Sequence, residues 1–404
     1  MKRDLIIIAS LLLSGSLAAQ TVDDLIDAGR AAFLRYDFSE AAKKYADARK
    51  KAKKNVPPFL EEYEEDLEKG ENFIERVEKI VILDSISVPR EDFFKEYKLP
   101  FSAGYLSTSE SIPFDNEDTA DFNYVFTNEG DDFKMWAALD TAGYYTIRES
   151  IRLTDGSWQQ PTATPDLLNN GGDAIFPFMM SDGVTLYYAS NNEDSLGGYD
   201  IFVATRDAAD GEYLQPQNIG MPYNSPYDDY LLAIDELNGV GWWATDRNLL
   251  GDDITIYLFK VNDLRSNYDP DETENLSDRA LVSDWKATWG DNDFSSLVSE
   301  VMAIVPGPAK KKGDFIFPMP QGKFYTTMDD FKTSEGKRSM LKYLNAIRVF
   351  EEKSEKLSSL RHKYAEGKGA SLKSQIRALE SELETDCETI RRLKSDIYRV
   401  EISH

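Results

Sequence analysis

The chain of 404 residues has one cysteine, Cys387, and two histidines, His362 and His404, all in its C-terminal part. A single thiol excludes an internal disulfide, so stability must come from burial. The long stretch before residue 362 has neither a histidine base nor a histidine metal ligand, which removes the commonest hydrolase chemistries. No Gly-x-Ser-x-Gly elbow, phosphate-binding glycine loop or zinc-ligand spacing occurs. Long apolar runs are also missing. The run over residues 5–13 is too short for a lasting anchor, and no other segment approaches the ~18 apolar residues of a membrane span.

Positive charge is scarce: 46 Lys and Arg stand against 72 Asp and Glu, for a net charge of −26. The imbalance is localised. Residues 80–332 carry 17 basic and 44 acidic side chains, or −27, whereas residues 21–79 carry −3 and 336–404 carry +4. Such a field repels nucleic acid and anionic lipid, and favours cationic partners or plain solubility.

The N-terminus has the layout of a secretory signal peptide over residues 1–20: Lys2 and Arg3, the apolar run, then small residues up to Ala18 and Ala19. No cysteine stands near Ala19 or Gln20 to carry a lipid. This predicts an exported, periplasmic or surface-associated protein without a membrane span in its mature form.

Residues 21–79 read as helical. Thr21 is a candidate N-cap followed by Asp23 and Asp24. Leu25, Ala28, Gly29, Ala32, Ala41, Tyr45 and Ala48 follow the spacing of a tetratricopeptide repeat, whose turn the segment from Tyr36 to Ala41 resembles. Gly29, Ala32 and Ala41 would let two antiparallel helices approach closely while Tyr45 fills the gap. A lone repeat cannot bury its own face, so a further helix over residues 59–79 is expected as its cap.

Strand patterns occupy residues 80–332. Residues 122–139, 175–190 and 230–245 each read strand, glycine turn, strand, and the turn glycines Gly130, Gly183 and Gly239 are 53 and 56 residues apart. A hairpin period near 50 residues marks the blade of a β-propeller, and about 250 residues would give about five blades, with four to six open. Residues 81–88 are expected to close the ring by pairing with residues 315–319 or 323–327, and 275–327 to supply the last blade. The stretch SDGVTLYYASNNEDSLGGYDIFVATRD, residues 181–207, resembles the WD40-like repeat of TolB-type propellers.

Residues 333–404 return to helix. Leu372, Ile376, Leu379, Leu383, Ile390, Leu393, Ile397 and Val400 recur by three and four residues, with Asp386 as the one polar intruder. A glycine break at 367–369 splits the segment into an antiparallel hairpin or coiled coil, self-contained or self-associating.

Candidate sites are few. The acidic runs at residues 115–121 and 269–274 lack the glycine and terminal glutamate of a calcium loop. Tyr227, Asp228, Asp229, Trp242, Asp252 and Asp253 would suit a glycan or cationic peptide if they met at a propeller mouth. Against this, Trp242 and Trp243 point to opposite faces of one strand, so at least one packs between blades.

A helical repeat followed by a TolB-type propeller is similar to Bacteroidetes envelope proteins, including accessory proteins of type IX secretion. Those proteins often end in an OmpA-like peptidoglycan-binding domain; a helical hairpin is expected here instead, so wall anchoring does not carry over. With no catalytic motif in the chain, the expectation is a non-catalytic scaffold without a cofactor, for which the resemblance implies envelope proteins as partners, or alternatively a ligand-binding module at the propeller mouth.

Overall fold

The computed structural model describes residues 21–402 apart from 92, 115–121, 154, 208–210, 263, 308–314, 316, 320–322 and 366–371. The signal-like segment, the acidic run at 115–121 and the glycine break at 367–369 therefore lie outside the described residues. β-Sheets form the middle of the chain and helices its ends.

Three helices come first: α1 (Val22–Phe33), α2 (Phe38–Ala52) and α3 (Phe59–Ile74). Thr21 and Asp24 cap α1 reciprocally. Asp24 N–H donates to Thr21 Oγ1 at 3.1 Å and Thr21 N–H to Asp24 Oδ2 at 2.7 Å, satisfying two donors that the first turn leaves free. The α1–α2 approach is close enough that a Cβ on Gly29 would run into the buried Tyr45 ring. Leu60 and Leu67 of α3 complete this core, which also takes in Leu196, Met221 and Ala280, so the helices rest on the β region.

The first sheet has five antiparallel strands in chain order: β2 (Tyr105–Ser107), β3 (Val125–Thr127), β4 (Phe133–Leu139), β5 (Tyr145–Ile151) and β6 (Thr162–Ala163). After a single helical turn, α4 (Asp166–Asn169), the second comprises β7 (Ala174–Met179), β8 (Thr185–Ser190), β9 (Asp200–Thr205) and β10 (Gln217–Asn218). The third comprises β11 (Asp229–Asp235), β12 (Val240–Leu250) and β13 (Asp253–Lys260), with β1 (Val81–Pro89) added outside β13. Strands β7 and β11 pack against the preceding sheets, and one continuous core runs through all three. Phe93 and Tyr97 fill the space between sheets: Phe93 meets Phe176 and Tyr230, and Tyr97 meets Trp242.

Two expectations change here. β1 pairs with β13, from Val81 opposite Lys260 to Pro89 opposite Asp253, rather than with residues 315–327. Its outer edge is then occupied by a 3₁₀ turn: Trp289 Nε1 donates to Ile82 O at 2.7 Å and Ile82 N–H to Thr288 Oγ1 at 2.9 Å. Residues 275–302 are helical rather than a last blade, with α5 (Leu276–Leu281) and α6 (Ser295–Met302). Leu297, Val298, Val301 and Met302 recur at helical spacing, and that stripe packs on the main core. Length divided by a 50-residue period therefore overcounts. The described residues hold three sheets of four or five strands, and a two-stranded one from β14 (Phe317–Met319) and β15 (Lys323–Tyr325).

The C-terminal helices, α7 (Ser334–Ala365) and α8 (Leu372–Ile402), run antiparallel: Leu357 packs near Leu379 and Leu383, while Met340 shares a core with Ile397. Asp386, polar within an apolar seam, accepts from Lys353 Nζ at 2.6 Å. The hairpin has its own foundation. Phe317, Met319 and Phe331 pack under Met340 and Ile397, in a cluster separate from the main β core.

Candidate functional site

The turns of the three repeated hairpins meet α7 and α8 across a cleft of about 750 Å³. Each turn is built by a side chain that accepts backbone N–H groups. Asn128 Oδ1 accepts from Asp132 and Phe133 at 3.1 and 2.9 Å, Asp182 Oδ1 from Val184 and Thr185 at 2.8 and 2.9 Å, and Asp235 Oδ1 from Leu237 and Asn238 at 3.1 and 3.2 Å. Gly183 (φ 66°) and Gly239 (φ 65°) take the left-handed conformation the turn demands. In the degenerate first copy that role falls to Asp131 (φ 53°) rather than Gly130.

Each turn thereby delivers one carboxylate to the cleft: Glu129, Asp182 and Glu236. The facing wall is a helical stripe. Tyr343, Ile347 and Phe350 come from α7, and Ile390, Lys394 and Tyr398 recur every four residues on α8, with Arg391 and Cys387 alongside. Lys394 Nζ lies 3.8 Å from Glu129 Oε2, and the Ser181 hydroxyl donates to Glu236. Burial raises the Glu129 carboxyl above its ordinary value, with the Lys394 ammonium opposing the shift. Burial likewise pushes the Tyr343 phenol up to about 12 and raises the Cys387 thiol, which keeps that sulfur a thiol near neutrality.

A second hollow of about 270 Å³ adjoins the cleft between the first and second sheets, sharing Ser102, Ala103, Glu129 and Ser181 with it. Its walls include Phe126, Phe133, Met179 and Met180, with Arg206 at one side. Arg206 pairs with Glu149 and lies over the Phe133 and Tyr213 rings.

None of the six residues singled out from the sequence lines this cleft. Asp229 is fully buried and accepts from Arg247 Nη2 at 2.7 Å and Ser225 Oγ at 2.6 Å. Arg247 spends its remaining donors on Thr245 Oγ1 and the Pro222, Tyr223 and Ala280 carbonyls. Burial raises the Asp229 carboxyl to about 6 against the pull of Arg247. Asp228 accepts from Tyr199 N–H and the Tyr230 hydroxyl, both at 3.0 Å, and the Tyr227 hydroxyl donates to Leu34 O at 3.3 Å. Trp242 is fully buried on Tyr97, and Trp243 packs oppositely on Tyr223, Tyr257 and Phe259. Asp252 is exposed, its carbonyl taking Arg90 N–H, and Asp253 opens β13. These residues join the third sheet to its neighbours and to the N-terminal helices.

The sequence did carry a signal for the cleft carboxylates. An acidic residue directly precedes Gly130 and Gly183 and stands three positions before Gly239, and Glu129, Asp182 and Glu236 are 53 and 54 residues apart. Among the described residues, no group of three or more His, Cys, Asp and Glu is placed to hold a metal ion. No helix among them is long and apolar enough to cross a membrane. No family model, curated protein or solved structure matches the chain.

Proposed function

We propose that this chain is a non-catalytic interaction scaffold of the bacterial cell envelope, with the cleft between the three turns and the α7–α8 hairpin as its partner-binding surface. In this reading the three sheets are blades of a TolB-type, WD40-like propeller array that β1 closes by completing the third blade. The N-terminal helices form a tetratricopeptide-like cap, and the signal-like segment directs export to the periplasm or the cell surface. An accessory part in a secretion or envelope assembly follows from the resemblance of the repeats.

The observation that carries the reading is the cleft itself. A helical hairpin with its own core faces the acidic turns of the β region across about 750 Å³, instead of packing flush against them. Aromatic, aliphatic and charged side chains line it together, a mixture suited to recognition.

Two experiments test this. N-terminal sequencing of the protein from cells should find a start at Gln20 or Thr21, and an unprocessed Met1 in the cytoplasm would remove the envelope placement. A photo-crosslinking amino acid at Phe350, in the cleft, should capture discrete proteins in envelope fractions, whereas one at exposed Leu341 should not. Equal capture at both positions, or none at Phe350, would overturn the cleft as the partner surface.

A further inference from the structure

We propose that the cleft binds an extended, positively charged peptide segment of another protein, with one large apolar side chain seated in the adjoining hollow. This deepens the scaffold reading and rests on it. A cavity of about 750 Å³ lies within the range of ligand sites, and the 270 Å³ hollow that shares four of its residues gives room for one side chain branching from a chain in the main cleft.

The charge of the occupant follows from the turn wall. Glu129, Asp182 and Glu236 converge from three turns; both Asp182 oxygens are bonded to Val184 and Thr185 in its own turn, so Glu129 and Glu236 carry the argument, and the cation that faces Glu129, Lys394, stops at 3.8 Å, beyond hydrogen-bond length. Glu129 Oε2 is shielded from solvent and makes no hydrogen bond among the described residues; the Tyr398 hydroxyl on the opposite wall is in the same position. A ligand ammonium or guanidinium at hydrogen-bond distance would give Glu129 the charge-assisted bond that Lys394 does not reach. A peptide N–H or C=O would satisfy Tyr398. The net −27 of residues 80–332 draws cations toward the β region; Lys394 and Arg391 stand on the helical wall, so the ligand's cation belongs on the turn wall, where an anionic group would meet Glu129 and Glu236.

The hollow separates a peptide from a simple polyamine. Phe126, Phe133, Met179 and Met180 offer an apolar seat, and the flexible thioethers can adapt to different side chains. Ile347, Phe350 and Ile390 on the helical wall cover apolar parts of the same ligand.

The test uses the purified full chain and a phage library of random ten-residue peptides. Counter-selection is against Ser181→Trp, an exposed turn position shared by cleft and hollow whose enlarged side chain would block both. Enriched peptides should carry net positive charge and one large apolar residue. By fluorescence anisotropy, the best of them should bind the double variant Glu129→Gln, Glu236→Gln at least ten-fold more weakly. Binding to Lys394→Ala should be unchanged or tighter, an outcome that loss of fold would not produce. If Ser181→Trp lacks a native melting transition, the double glutamine variant replaces it in counter-selection.

Enrichment of acidic or uncharged peptides, no enrichment, or equal binding to the blocked variant would overturn the proposal. So would complete displacement by spermine of a peptide whose apolar residue can be replaced by serine without loss. Crosslinking at Phe350 together with any of these results would leave the scaffold reading standing and remove only the ligand class.

Discussion

The Lys394 ammonium stands 3.8 Å from a Glu129 carboxylate oxygen and links the last helix of the chain to the first of its repeated turns. The two side chains are 27% and 40% exposed as a whole, but the Glu129 oxygen that faces Lys394 is itself shielded, so water and salt screen the pair mainly from the lysine side. A double-mutant cycle with Lys394→Ala and Glu129→Ala, read by denaturant unfolding, should give a coupling of about 0.2–1 kcal/mol that shrinks in high salt. A coupling several times larger would mean that this contact holds the hairpin in place.

Arg247 and Asp229 are the opposite case, an ion pair with both side chains about fully buried. Arg247→Met leaves a buried carboxylate without its cation and should destabilise the protein by about 3–5 kcal/mol. The double variant Arg247→Met, Asp229→Leu should recover much of that loss, because neither member of the pair is then left as an uncompensated charge. Thermal melting of the three proteins checks the order.

Gly29→Ala should cost about 1–3 kcal/mol, since the added methyl group meets the buried Tyr45 ring and must push α1 and α2 apart. Hydrogen exchange should place the loss in α1–α3. Protection in β7–β9 should hardly change.

Stability should fall as pH rises from about 4 to 7. Burial, and then the charge of Asp229, push the Asp200 carboxyl from 3.8 up to about 7, while burial pushes Asp229 up to about 6. A carboxyl whose folded value is raised contributes stability that is complete below about pH 4 and lost as pH climbs through the folded value. Asp200→Asn should flatten the slope of melting temperature against pH over this window. Glu401 has the opposite sign: burial works against it, but hydrogen bonds from Thr333 and Lys332 lower its carboxyl overall. Its contribution at the base of α7 and α8 should disappear as pH falls below the ordinary glutamate range, seen as faster exchange there while the β core stays protected.

Much of the architecture was legible because it is written in short-range spacing. Thr21 and Asp24 announced the start of α1, Gly183 and Gly239 the hairpin turns, and Leu379 and Leu383 the seam of the C-terminal hairpin. The small residues Gly29 and Ala41 announced the close approach of α1 and α2. The stripe through Leu297 and Val301 has helical spacing, inside a stretch expected to supply the last blade. The aromatic and acidic residues from Tyr227 to Asp253 resembled a ligand site because burial cannot be read from residue type. In the fold, Asp229 meets Arg247 and Trp242 meets Tyr97, and neither contact can be inferred from the local sequence.

The sequence by itself determined the turns, the helix boundaries near Thr21 and Ser334, and the concentration of negative charge over residues 80–332, because each depends on neighbours within a few positions or on composition. Only the tertiary structure decided that β1 completes the sheet of β13, that Asp228 and Asp229 turn inward, and that Glu129, Asp182 and Glu236 face Lys394 and Tyr398 across one cleft. Those outcomes depend on which strand edges are left open and which faces remain to be buried once distant segments have met.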